Sequence, residues 1–173
     1  MVYDINSVIF ILFLCYFSEL ANDFGNLAQR LLTFVAKHCD GEVPVPGEFT
    51  PDDTALLAAA ADALRESRDL VEQQNIKGMT AVIINVAKLG NKYIDTQAPW
   101  TLRKTDEARM RTVMYVLAEV IRVTAVLLSP VMSVSCNNML DQIGKPQTPF
   151  KTANIKYFTF QLYAYEFLSL YYI

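Results

Sequence analysis

Between residues 18 and 146 the apolar side chains return every three or four positions, and no stretch alternates with a period of two. That rhythm gives each segment one core-facing helical stripe and leaves nothing from which to build a sheet. Leu20, Phe24, Leu27, Leu31, Phe34 and Val35 mark a first helix. Gly41, Pro44, Pro46 and Gly47 then force a loop between Cys39 and Pro51. Thr50-Pro51-Asp52-Asp53 supplies an N-cap, a first-turn proline and two acids at the positive end of a second helix. That helix is apolar at Leu56, Leu57, Ala60, Leu64 and Val71 and runs to about Gln74.

A third helix carries Met79, Val82, Ile83, Val86, Leu89 and Tyr93 inward and breaks before Ala98-Pro99-Trp100. Thr105-Asp106-Glu107 caps a fourth, whose inner face holds Met110, Val113, Met114, Leu117, Val120, Ile121, Thr124 and Leu128. Pro130 ends it. A short fifth helix over Cys136–Ile143 closes at Gly144. The expected fold is all-α, a helical bundle of four long helices and one short one.

Outside this section the residue usage changes. Residues 1–17 and 147–173 hold 14 of the 20 aromatic residues, so both flanks are expected to lie outside the 18–146 domain. The apolar run Ile5–Phe17 is shorter than the ~20 residues a bilayer span needs. Asp4 precedes that run, and no Lys or Arg lies in residues 1–17, which fits neither a secretory signal nor a transit peptide. The expected location is the cytosol or an organellar matrix, not the secreted space, and a membrane partner is not expected.

The residue inventory removes most catalytic chemistry. One histidine, His38, and three cysteines without a CxxC pair supply neither a zinc site nor a histidine-based triad, so no metal is expected. The six glycines form no phosphate-cradling loop. A net charge of −3 provides no general attraction for phosphates, so nucleic-acid binding has to be local. No catalytic residue is assigned.

Two segments remain. In LANDFGNLAQR, Asn26 and Arg30 stand four apart and share a helix face. An amide beside a guanidinium offers planar donors and one acceptor, which suits the edge of a nucleobase. In NKYIDTQAPWTLRKTD the only tryptophan, Trp100, follows a proline at an interhelical turn, where an indole with a free face becomes a stacking platform for an unpaired base. A surface Asn/Arg pair and a core-filling Trp would account for each segment separately.

Taken together, the two motifs and the closing MLDQIGKP resemble the anticodon-binding domain of methionyl-tRNA synthetases, in their alphaproteobacterial and organellar-like branch. The likeness runs from about Ser18 to Pro146. It implies that Asn26, Arg30 and Trp100 engage the CAU anticodon of a methionine tRNA, chiefly its first base, with Pro99 shaping the turn. Lys92, Arg103 and Lys104, near that turn, are further candidates for phosphate contacts. The HIGH-like and KMSKS-like motifs of the family's catalytic half do not occur here. The chain is therefore expected to be a non-catalytic fragment without a cofactor of its own. ATP and methionine would bind the missing domain, for which a separately encoded catalytic half would be a partner. The alternative is a non-catalytic helical interaction module, membrane-associated through its aromatic flanks.

Overall fold

A computed structural model describes residues 21–143. A single wide turn in π geometry, Ala21–Gly25, leads into α1 (Asn26–His38). There follow α2 (Pro51–Glu72), α3 (Ile76–Gln97), α4 (Pro99–Thr105), α5 (Glu107–Leu128) and α6 (Ser133–Ile143). Local chemistry sets the helix starts. The Thr50 amide donates to the Asp53 carboxylate at the head of α2, the Asn75 side chain accepts from the Gly78 amide at α3, and Asp106 accepts from the Arg109 amide at α5.

Helix α5 is the axis of the bundle. Fourteen of its residues are buried, more than one stripe of an amphipathic helix can supply, and it packs against each of the other five helices. Leu27, Leu31, Ile83 and Ile94 close the core around its Met114, Leu117 and Ile121. Among the described residues every regular element is helical.

The sequence expectation is corrected in two places. The segment expected to be only a turn, Ala98-Pro99-Trp100, opens the additional short helix α4. Proline occupies its first position, where the missing N–H costs nothing. Leu89, placed on the inner face of α3, is exposed; Ile84, Ala87, Gly90 and Ile94 are buried instead. Gly144 as a helix cap, and the flanks 1–17 and 147–173, lie outside the described residues.

Candidate nucleic-acid interface

Contacts between α1 and the α3–α4 segment keep one sequence offset. The preceding turn's Asp23 pairs with Lys88 at 3.7 Å, Asn26 donates to Asn91 at 3.4 Å, Arg30 pairs with Asp95, and His38 meets Arg103 at 2.7 Å. In each pair the partner lies 65 residues further along. A fixed offset means that α1 and α3 run parallel and in step. Gly90 permits the close approach, since a Cβ there would come within 2.6 Å of a Leu27 methyl.

Trp100 occupies the second position of α4 and is 48% exposed. The Arg30 guanidinium carbon lies 5.9 Å from the centre of the indole, in cation–π range. Asn26 lies one turn before Arg30 on α1, held by Asn91, whose own amide donates to the Asp23 carbonyl at 2.8 Å. Two residues distant in sequence thus meet on the seam, Arg30 beside the indole, with Asn26 next to them along α1. Pro99 is buried beneath the turn. Ala98 is left-handed (φ 43°, ψ 63°) and both ends α3 and starts α4. Such a conformation costs a non-glycine residue roughly 1–2 kcal/mol, so the surrounding contacts must hold it.

The three cations near the turn differ in surroundings. Lys92 is exposed on α3, and Arg103 and Lys104 are exposed in the last turn of α4. Arg103 also donates to the His38 imidazole, whose ring stands edge-on to Phe34 at 4.7 Å.

Sequence reasoning assigned no task to Asp95, although it lies inside the quoted motif, nor to Asn91. It also missed a buried cluster at the same end of the bundle. Asp53, fully buried, receives two hydrogen bonds from Arg109, one of 2.8 Å, and another from the Tyr93 hydroxyl. Arg109 further donates to Gln97 Oε1 at 2.9 Å and to the Thr50 hydroxyl at 3.3 Å. Burial pushes the Asp53 carboxyl up, but the hydrogen bonds from Arg109, Tyr93 and the Thr50 amide outweigh it and bring the pKa to about 2. Burial first, and then the Asp53 carboxylate, raise the Tyr93 hydroxyl well above the usual phenol range. The cluster is charged, satisfied and closed to solvent on the Asp53 side.

Among the described residues, no group of three or more His, Cys, Asp or Glu could hold a metal ion. No described helix is long and apolar enough to cross a membrane. The seam presents a planar guanidinium, an amide and a half-exposed aromatic face, the components for holding one splayed base.

Comparison with known proteins decides the family. Residues 43–164 match the model of the anticodon binding domain of methionyl tRNA ligase. The chain belongs to this family. The match contains Trp100 and begins after Asn26 and Arg30. Methionine–tRNA ligase of Rhizobium meliloti is 45% identical over 129 residues, covering 75% of this chain and 25% of the relative. That of Brucella melitensis is 41% identical over 138 residues, covering 80% and 27%. The free-state crystal structure of Mycobacterium tuberculosis methionyl-tRNA synthetase superposes with a TM-score of 0.73 at 42% identity, covering 81% of this chain and 30% of that one. The chain spans about a quarter of the length of the curated relatives it matches.

Proposed function

We propose that this chain binds the anticodon loop of a methionine tRNA and selects CAU chiefly at its first base. The observation that carries the reading is the Arg30 guanidinium held 5.9 Å from the half-exposed Trp100 ring, on the seam that also bears Asn26. The cytosine would stack on the indole while Arg30 and Asn26 hydrogen-bond its edge, and Pro99 fixes the turn beneath. Lys92, Arg103 and Lys104 would take backbone phosphates, which adds affinity without sequence preference.

Aminoacylation is then the task of residues outside this chain. ATP and methionine would bind a catalytic domain, carried on a separate chain or on the rest of a longer one. With a net charge of −3 the phosphate contribution is small, so binding is weak with a modest salt slope. Anisotropy titration of dye-labelled anticodon hairpins with the full chain tests the reading. A CAU hairpin binds more tightly than one with its first base changed; equal binding of the two overturns the proposal.

A further inference from the structure

The buried cluster takes no part in the reading above, yet it ends three residues before the stacking platform. We propose that Arg109, seated on Asp53, is a positioning residue for Trp100 and acts through Gln97. Its purpose rests on the anticodon reading, whereas its geometry does not.

Asp53 is satisfied without Gln97: Arg109, the Tyr93 hydroxyl and the Thr50 amide already surround it. The 2.9 Å bond from Arg109 to Gln97 Oε1 is therefore surplus to the ion pair, and it acts on the last residue of α3. The other end of the same amide donates to Asp52 Oδ2 at 3.2 Å. Gln97 is thus gripped from α5 on one side and from α2 on the other.

The next residue is the left-handed Ala98, whose carbonyl accepts from the Thr101 and Leu102 amides at 2.8 and 3.2 Å. The direction in which α4 leaves α3 is decided at this residue, and that direction sets where the indole stands relative to Arg30. A strained turn relaxes when its neighbour is released. A purely structural Arg109 would need only Asp53 and Tyr93.

Three variants of the full chain separate these roles, read through the single tryptophan by iodide quenching, through thermal melting, and through hairpin titration. Gln97→Leu leaves the ion pair intact, so its melting stays near wild type. Its Trp100 quenching shifts, and its affinity for the CAU hairpin falls about tenfold, a part of what stacking contributes. Arg109→Met shows the same quenching shift together with a lowered melting temperature. Met79→Ala, in the first turn of α3 at the opposite end, lowers melting and leaves Trp100 quenching unchanged.

Wild-type quenching and affinity in Gln97→Leu overturn the proposal. So does a Met79→Ala variant that moves Trp100 as far as Gln97→Leu does. If the wild-type chain distinguishes no hairpins, the anticodon reading falls, and quenching, which needs no RNA, still decides the positioning role.

Discussion

Arg30 meets Asp95 on the surface of the α1–α3 seam, with side chains 28% and 64% exposed; Arg109 meets Asp53 inside the bundle, at 16% and 0%. The chemistry is the same and the surroundings reverse its consequences. Water competes for the exposed pair and screens it, so little is lost when a ligand pulls Arg30 away from Asp95. The buried pair has been desolvated and its hydrogen-bonding capacity met by neighbours, so removal of one member strands the other in a dry site. Arg30 can therefore exchange partners in binding, and Arg109 cannot do so without loosening the end of the bundle.

Truncating both arginines should separate the two pairs most strongly. Arg109→Ala is expected to destabilise the chain by about 3–5 kcal/mol, whereas Arg30→Ala changes stability by less than about 1 kcal/mol. Urea denaturation of the full chain measures both. Equal losses would mean that burial does not separate the two pairs.

Acid titration gives the next largest effect. The folded Asp53 carboxyl titrates at about 2, below its ordinary 3.8, so the folded state binds fewer protons between those values. The stability it contributes is present above about pH 4 and is lost as pH falls through about 2, a contribution of about 2–3 kcal/mol. Asp53→Asn should flatten that part of the stability–pH curve, and an unchanged acid limb would contradict the assignment.

On the exposed side the expected effects are on binding. Trp100→Ala should cost about 1–3 kcal/mol in affinity for the CAU hairpin and leave the melting curve nearly unmoved, because the residue is already half-exposed. The smallest effect is expected from Lys92→Ala, which should weaken cognate and altered hairpins alike and lower the slope of log affinity against log salt by about 1. A loss confined to one hairpin would move Lys92 from phosphate to base contact.

How much of this was readable in advance follows the range of the interactions. The apolar spacing of Leu27, Leu31 and Val35, or of Val113, Leu117 and Val120, fixes a helix within a few residues, so the bundle was legible. Helix α4 was not, because Pro99 reads equally as a breaker and as a first-turn residue, and only the left-handed Ala98 before it decides. Asn26, Arg30 and Trp100 were legible as motif residues, and the constant offset that seats Arg30 beside the indole is a tertiary fact. Asp53 was read as a charge at a helix end, which it is. Its burial under an arginine 56 positions away follows no local spacing rule.

The proposed role of the exposed cluster on the seam is to read a base. Titration of the full chain's single tryptophan with two anticodon hairpins, one carrying CAU and one changed only at the first base, tests it most directly. Tighter binding and stronger fluorescence quenching are expected with CAU, and a preference that Arg30→Ala erodes because the cytosine edge loses a charge-assisted partner. Identical curves for the two hairpins, or no response at millimolar RNA, would contradict it.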